Sequence, residues 1–316
     1  MITEATVSYR LLSYQSGREP RAGILVEEQV YDPAGILGNA AYTSVLAILQ
    51  EWRTARSGLA LAAERIIAGK SRAKGVPVKR VKLLAPVLHP GNIYCAGANY
   101  TDHMIEMARA HGREPGPTAK ERGDKPWHFI KASRSTIVGP GAKVRIPPYC
   151  RMLDWEVELA AVVGRTAKDV PVEKALDFVA GYTIADDLSA RDAGRREKTP
   201  ETSPFHMDWL GHKSFDGSCP LGPWITPAGD IPDPQNLGLK LWVNGELMQD
   251  SHTSKMIFST AEQIAMLSSR VTLNPGDLVL TGTPAGVGMP RKRFLNAGDS
   301  VKLWIEGIGE MTHTLA

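Results

Sequence analysis

Three carboxylates stand at alternate positions in Asp154-Trp155-Glu156-Val157-Glu158-Leu159. In a β-strand successive side chains point to opposite faces, so Asp154, Glu156 and Glu158 would share one face. Carboxylates held together beside a core repel one another and lose hydration, and a bound cation offsets that cost. Oxygen ligands suit Mg²⁺, Mn²⁺ or Ca²⁺ better than Zn²⁺. The pattern predicts a metal site in which Asp154 supports the ligands rather than joining them; an ordinary exposed strand face is the alternative.

A second acidic pair, Asp186-Asp187, follows the apolar run 178–185. A strand that ends in acids can deliver a carboxylate to the edge of a site, so this segment offers a third ligand. Capping of a helix or turn by one of the two acids is the alternative.

A histidine and a glutamate are spaced three residues apart in Asn99-Tyr100-Thr101-Asp102-His103-Met104-Ile105-Glu106. One helical turn would place His103 and Glu106 side by side. Glu106 could then fix the tautomer of the imidazole and raise its basicity, as a general base near neutral pH requires. A surface ion pair is the alternative.

Lys213 and the glycine-rich segment 281–288 complete the candidate chemistry. If Lys213 lies on a strand and faces the metal, the preceding residue His212 faces away from it. An ammonium beside a metal can stabilise an oxyanion or enolate, and backbone N–H groups of a glycine-rich turn can approach a carboxylate or carbonyl. An ordinary hairpin turn is the alternative for 281–288. Cys95 has apolar neighbours, which predict a buried structural thiol rather than a nucleophile.

The elements that must position these residues fall into two regions. Alternating patterns predict strands at 6–16 and 21–31, and apolar periodicity predicts a helix over 43–68, which Gly58 could divide into two. With the linker 69–77, these elements predict a small α/β domain at 1–80. Beyond residue 81, short β-rich runs and turns predict a mostly antiparallel domain at 81–316, with helices at 172–179 and 260–269 and a type I′ hairpin turn at Asn244-Gly245. The predicted class is α+β and β-rich.

The segment 108–126 differs from its surroundings. It has four Gly or Pro residues within 112–117 and many charges, so it is too polar for a core. A long loop next to His103 is typical of an active-site lid.

Composition excludes several classes of protein. The 316 residues carry 37 Lys and Arg against 34 Asp and Glu, a net charge of +3, and 22% are charged, which is ordinary for a globular chain. The apolar runs are too short for a membrane helix, and the first residues do not resemble a signal peptide. Three dispersed cysteines do not form a disulfide or zinc pattern. The basic stretch 70–82 contains no aromatic residue, so a solvated linker is favoured over a nucleic-acid contact. We therefore expect a soluble, cytoplasmic protein that binds neither nucleic acid nor membrane.

Taken together, these segments resemble the fumarylacetoacetate hydrolase family over about residues 85–316. The matching segments, in the family's order, are 99–106, Phe129-Ile130-Lys131, 154–159, 187–192, 213–216 and 280–288. The resemblance implies a mixed β-roll catalytic domain, a smaller N-terminal domain and a homodimer. It further implies one Mg²⁺ or Mn²⁺ ion and the following roles: metal ligands Glu156, Glu158 and Asp187; a lid dyad of His103 and Glu106; substrate contacts at Lys213, Lys131, Gly282 and Thr283.

The activity implied is hydrolysis of a carbon–carbon bond in an acylpyruvate or other 1,3-dicarbonyl substrate, through an enolate held by the metal. In that reaction Lys213 stabilises an oxyanion. The alternative is an isomerase or decarboxylase of a 2-hydroxymuconate-type 2-oxo diacid in aromatic catabolism. Family members with oxaloacetate-like substrates often carry Gln two residues after the Ala-Arg-Asp motif. This chain has Gly194 at that position, and the difference favours the hydrolase. A catalytically silent metal-binding scaffold would not need all five of His103, Glu156, Glu158, Asp187 and Lys213.

Overall fold

The computed structural model describes residues 9–316, so residues 6–8 of the first predicted strand, and residues 1–8 of the predicted N-terminal domain, lie outside the described residues. The strands are β1 (Arg10–Ser16), β2 (Glu19–Val26), β3 (Gln29–Tyr31), β4 (Val76–Pro77), β5 (Lys82–Leu84), β6 (Ile93–Ala96), β7 (His128–Lys131), β8 (Ile137–Val138), β9 (Lys143–Val144), β10 (Leu153–Asp154), β11 (Val157–Val163), β12 (Val179–Asp186), β13 (Ser189–Ala190), β14 (Cys219–Pro227), β15 (Gly238–Val243), β16 (Glu246–His252), β17 (Leu278–Leu280), β18 (Ser300–Ile305) and β19 (Gly309–Leu315). The helices are α1 (Pro33–Leu37), α2 (Val45–Gln50), α3 (Trp52–Ile67), α4 (Thr101–Ala110), α5 (Trp209–Lys213), α6 (Thr260–Arg270) and α7 (Gly288–Arg291). Short 3₁₀ helices lie at Val78–Arg80, Val172–Phe178, Arg191–Ala193, Ala228–Asp230 and Thr253–Lys255.

The N-terminal elements differ in detail from their predictions. The predicted strand 21–31 is two strands, β2 and β3, joined by a tight turn in which Glu27 has a φ of 53°. The predicted helix 43–68 is divided, but at Glu51 between α2 and α3 rather than at Gly58. Gly58 lies inside α3, where a Cβ atom would come within 3.2 Å of Leu37. The glycine therefore allows α1 to pack closely on α3 instead of breaking the helix.

One large sheet carries the site. Its strands run in the order β4-β3-β2-β1-β14-β12-β11-β17-β6-β7, with β5 and β8 paired at the side, and most neighbours are antiparallel. Central strand β11 is buried on both faces, and its side chains still alternate between two cores. Leu159, Ala161 and Val163 pack in one hydrophobic core, while Ala160 and Val162 pack in the other. The even-numbered face is also the face of Glu158, and Glu156 immediately precedes the strand.

A second sheet, ordered β16-β15-β18-β19-β9, covers the first core. Its hairpin β15–β16 turns at Asn244 and Gly245, whose φ angles are 51° and 83°. Two positive φ values are what a type I′ turn requires, and the predicted hairpin is confirmed. The predicted helix at 260–269 is present as α6, whereas 172–179 forms a 3₁₀ helix. The β-rich α+β class is confirmed.

Residues 9–80 are joined to the large sheet. Strand β1 pairs with β14 through Leu11 and Ile225, and α2 and α3 share a hydrophobic core with β11 and β17. The division into domains 1–80 and 81–316 stays a prediction. Within residues 9–316, every helix is too short or too polar to cross a membrane.

Candidate metal centre and active site

The carboxylates predicted as metal ligands meet between β11 and β12. These strands are antiparallel neighbours with Glu158 opposite Ala185, and the Asp187 N–H donates to the Glu156 carbonyl at 3.0 Å. One carboxylate oxygen from each of Glu156, Glu158 and Asp187 lies within 4.8 Å of the others, and all three side chains are buried. The sequence pattern differs from the structure in one respect. The acidic run is interrupted at residues 155–156, between β10 and β11, rather than forming one continuous strand.

Three cations surround two of these carboxylates. The Lys131 ammonium donates to Asp187 Oδ1 at 2.6 Å. Lys213 donates to Asp187 Oδ2 at 2.7 Å and to Glu156 Oε2 at 2.8 Å. Arg191 donates to Glu156 Oε1 at 2.7 Å. Glu158 instead accepts the Gly282 N–H at 2.7 Å and forms no ion pair within residues 9–316.

These surroundings separate the acidities of the two glutamates. Burial alone would raise the pKa of Glu156, but Lys213 and Arg191 outweigh burial and hold that pKa well below its ordinary value. For Glu158, burial and the nearby charges of Asp187 and Glu156 all raise the pKa well above its ordinary value. Burial would lower the pKa of Lys213, yet Asp187 and Glu156 raise it, so the ammonium stays charged at neutral pH.

The donor set fits one divalent cation. Three carboxylates offer hard oxygen ligands within reach of a single ion, as Mg²⁺ and Mn²⁺ prefer. Each carboxylate has about four lone-pair positions, so the hydrogen bonds described above leave positions for a metal. Glu158 is buried beside two like charges and has no cationic partner among residues 9–316, so it is the group that a metal ion would compensate most.

Asp154 supports the centre from beside it. Its side chain is fully buried and accepts hydrogen bonds from the N–H groups of Trp155, Gly288 and Met289 at 2.9, 2.6 and 3.0 Å. It also accepts from Arg191 Nε at 2.9 Å. Arg191 therefore bridges Asp154 and Glu156. We expected this supporting position for Asp154, but Arg191 was assigned no role from the sequence.

His103 and Glu106 lie on α4 as predicted, yet they do not form the expected hydrogen bond. The Glu106 carboxylate accepts the Gly286 N–H at 2.8 Å, and Nδ1 of His103 has no hydrogen-bond partner within the described residues. The glutamate thus ties α4 to the glycine-rich segment 281–288 instead of orienting the imidazole. Burial lowers the pKa of His103 to about 4, so the ring is neutral at physiological pH.

Lys213 and His212 correct another expectation. In a strand, His212 would face away from the site when Lys213 faces it. Both residues belong instead to the short helix α5, which Asp208 caps through the Gly211 N–H, and both line the same cavity. His212 is buried, and its ring nitrogens have no partner in the described part of the chain.

Besides Lys213, the three other expected substrate contacts occupy different positions. Lys131 is fully buried behind Asp187 and does not line the cavity. Gly282, whose φ is 101°, gives its N–H to Glu158, so it supports a carboxylate of the protein. Thr283 lines the cavity and accepts a hydrogen bond from Gln249 at 2.9 Å.

The cavity beside the centre has a volume of about 630 Å³. Glu156, Arg191, Lys213 and His103 line one part of it, and loop residues of the segment 111–127 line another. A salt bridge of 2.6 Å between Lys120 and Glu262 ties this loop to α6. The loop therefore lies where a lid would lie. Another cavity, of about 690 Å³, lies between α1, α3 and residues 70–74, away from the carboxylates.

Sequence reasoning missed the aromatic residues of this cavity and was right about Cys95. Trp127, Phe129 and Trp209 line the cavity, although Phe129 was noted only as part of a motif. Their sequence signal is weak, since an isolated aromatic residue is typical of any core. Cys95 is fully buried and burial raises the pKa of its thiol well above the ordinary value, as expected for a structural cysteine.

The chain is similar to known proteins over almost its entire length. The profile of the fumarylacetoacetate (FAA) hydrolase C-terminal domain matches residues 92–316. The curated Xenopus laevis protein named oxaloacetate tautomerase fahd2, mitochondrial, is 39% identical over 318 residues, which cover 97% of this chain and 90% of that protein.

Two solved structures agree with this relationship. A fumarylacetoacetate hydrolase from psychrophilic Exiguobacterium antarcticum matches with a TM-score of 0.76 and 30% identity, covering 97% of this chain and 99% of that one. A maleylpyruvate hydrolase from Sphingobium sp. SYK-6, solved in complex with manganese(II) ion and pyruvate, matches with a TM-score of 0.72 and 28% identity, covering 97% and 98% of the two chains.

Proposed function

The chain belongs to the fumarylacetoacetate hydrolase family, and we propose that it is a metal-dependent enzyme that interconverts the keto and enol forms of a 2-oxo diacid such as oxaloacetate. The observation that carries the proposal is the buried group of Glu156, Glu158 and Asp187, because Glu156 also lines a cavity with His103 and Lys213. The tautomerase name of a relative that covers nearly the whole chain supports the choice of reaction. The hydrolase first favoured from the sequence becomes the second candidate.

The metal in this proposal is Mg²⁺ or Mn²⁺, held by Glu156, Glu158 and Asp187. The manganese in the similar maleylpyruvate hydrolase supports a divalent ion. When bound, the ion would act as a Lewis acid on the 2-oxo group and make the hydrogens of the neighbouring carbon more acidic.

The protein's own groups move the proton and stabilise charge. His103 is neutral at physiological pH and lines the cavity, so it can accept the proton from the carbon next to the 2-oxo group. The electron pair of that C–H bond then forms the double bond of the enol. The Lys213 ammonium stabilises the negative charge that develops on the substrate oxygen. Transfer of the proton to this oxygen completes the tautomerisation.

Metal depletion tests the proposal. The ultraviolet absorbance of the enol would follow oxaloacetate tautomerisation in wild type, in the Glu158→Gln variant and in an exposed-carboxylate control, Glu310→Gln, whose side chain pairs with Lys302 at the surface. We expect chelation to abolish activity and added Mg²⁺ or Mn²⁺ to restore it in wild type and Glu310→Gln but not in Glu158→Gln. Full activity in metal-depleted wild type, or no tautomerisation with any metal, would overturn the proposal.

Hydrolysis of an acylpyruvate is the second candidate, because the similar structure that contains pyruvate is a hydrolase. In that reaction His103 would take its proton from water. The departure at Gly194 also favours it, since a Cβ at this position would come within 3.1 Å of the His212 ring, which already fills the space. Product analysis after incubation with an acylpyruvate separates the reactions, because only hydrolysis releases a second acid.

Three further expectations remain proposals: a homodimer, a cytoplasmic location and a role in aromatic catabolism. Light scattering coupled to size exclusion would test the homodimer, and a mass of one chain at micromolar concentration would contradict it.

A further inference from the structure

The cavity of about 690 Å³ between α1, α3 and residues 70–74 is strongly basic, and it shares no lining residue with the cavity beside the carboxylate centre. Part of the basic stretch 70–82, which the sequence predicts as a linker, forms its rim. Four cations line it, one from α3 and three from this stretch: Arg65, Lys70, Arg72 and Lys74. The fold therefore collects cations around a concave site instead of spreading them along an extended linker.

These four cations have few opposite charges nearby. Within residues 9–316, none of them forms an ion pair. Among the described residues that line the cavity, Asp32 is the one acid, and its carboxylate accepts the Ala34 N–H at the start of α1. The C-terminal end of α3 adds only about half a negative charge, so a net charge of roughly +2.5 remains around the cavity. A bound polyanion would offset the repulsion among the cations.

The same cavity has an apolar part. Ile36 and Leu37 of α1 and Leu61 and Ala62 of α3 also line it. Leu61 is 55% exposed, so a large apolar side chain borders the open cavity rather than the core. A ligand that covered Leu61 would remove apolar surface from water, and this would add to its affinity.

We propose that this cavity binds a small organic polyphosphate, in which two or more phosphates are attached to an apolar or flat group, as in a nucleoside diphosphate. Arginine donates paired N–H groups to phosphate oxygens and lysine attracts them as a point charge, so the four cations suit the phosphates. The apolar part of the cavity suits the organic group. A volume of about 690 Å³ lies in the range of small-molecule sites. This site is independent of the proposed function, because it lies apart from the carboxylate centre.

Fluorescence anisotropy of N-methylanthraniloyl-ADP (mant-ADP) tests the site, with Mg²⁺ in large excess over the probe so that the protein keeps its metal. The charge variant is Arg72→Gln/Lys74→Gln, and the apolar variant is Leu61→Ser. All three side chains are exposed, so the fold should tolerate these changes. The matched control, Lys79→Gln/Arg80→Gln, removes the same charge from exposed positions of the same basic stretch, outside the cavity. Displacement of mant-ADP by inorganic tripolyphosphate gives the Ki of a ligand that has phosphates but no organic group.

We expect the charge variant to raise the Kd of mant-ADP by about fivefold to thirtyfold, the effect of losing two exposed ion pairs. Leu61→Ser should raise this Kd by about twofold to tenfold and leave the Ki of tripolyphosphate unchanged. The control should change either value by no more than about twofold, because charges outside the cavity act only through screened attraction.

Three results would overturn the site: no saturable binding of mant-ADP to wild type, an unchanged Kd in the charge variant, or equal losses in the charge variant and the control. The last result would show that mant-ADP is attracted to a basic surface without entering the cavity. An unchanged Kd of mant-ADP in Leu61→Ser, or tripolyphosphate bound as tightly as mant-ADP, would overturn the organic part of the ligand.

Discussion

Asp154 offers a substitution whose effect on stability follows from its contacts. The carboxylate is fully buried, and each oxygen accepts two hydrogen bonds: Oδ1 from the N–H groups of Trp155 and Gly288, Oδ2 from Met289 N–H and Arg191 Nε. Asparagine has almost the same shape but replaces one oxygen with an NH₂ donor. Whichever way the amide turns, that donor faces two donors of the protein, so Asp154→Asn loses two buried hydrogen bonds.

The expected cost is roughly 3–5 kcal/mol of unfolding free energy, because a buried N–H without a partner costs about 1–3 kcal/mol and a charged partner more. With an unfolding entropy of about 2.1 cal/mol/K per residue over 316 residues, this corresponds to a fall in Tm of about 5–8 °C.

Thermal and urea unfolding measure this effect against a matched control. Asp250→Asn makes the same change in a surface ion pair with Lys240, where the two side chains are 50% and 38% exposed. Such a pair contributes at most about 1 kcal/mol, so the control should melt within about 2 °C of wild type. If Asp154→Asn melted as close to wild type as the control, the hydrogen bonds of Asp154 would not stabilise the fold by several kcal/mol.

Three further predictions concern the site and its surroundings. His103→Ala should lower turnover by a factor of about 10² to 10⁴, the usual contribution of a general base. The affinity for Mg²⁺, measured by calorimetry, should stay nearly unchanged because the three carboxylates remain, and His206→Ala serves as the control. Near-normal turnover of His103→Ala would refute the assignment. Without ligand, residues 103–126 should exchange amide hydrogens faster than residues 156–163, and they should gain protection when metal and ligand bind. If the two segments were equally protected both with and without ligand, residues 103–126 would not act as a lid. Burial lowers the pKa of His128 from 6.5 to about 4, so its stabilising effect is present above pH 6.5 and is lost as the pH falls towards 4. Between pH 7 and 4.5 this histidine should contribute a loss of about 2–3 kcal/mol in urea unfolding, and an unchanged pH dependence in His128→Gln would show that the imidazole is not responsible.

The features that could be predicted from the sequence depend on short-range patterns. Alternation along a strand predicts one face for Glu156 and Glu158, and their carboxylates do meet, although Glu156 lies just before β11. An Asn-Gly pair between apolar runs has few conformations besides the tight turn observed at 244–245. Helix α6 was predicted for the same reason, since its apolar period is regular and Ser259 and Glu262 form a capping box.

The features that could not be predicted depend on partners distant in the sequence. Glu106 accepts from Gly286, 180 residues away, and no local pattern distinguishes that contact from the expected one with His103. Helix α5 has only five residues, too few to show an apolar period, so the sequence alone favours a strand for Lys213. The position of Gly58 was misjudged because its packing partner lies on another helix.

The pairing of charges separates a metal centre from a structural ion network. A network that only stabilised the fold would pair every buried carboxylate, because an uncompensated buried charge is costly. Asp187 has two lysines, and Glu156 has Lys213 and Arg191, yet Glu158 lies beside both acids with one backbone N–H and no ion pair within residues 9–316. This position raises the pKa of Glu158, and a divalent ion shared among the three carboxylate oxygens would offset the repulsion between them. Substitution of Glu158 therefore tests the metal proposal most directly, and Glu158→Gln is the variant that makes this test.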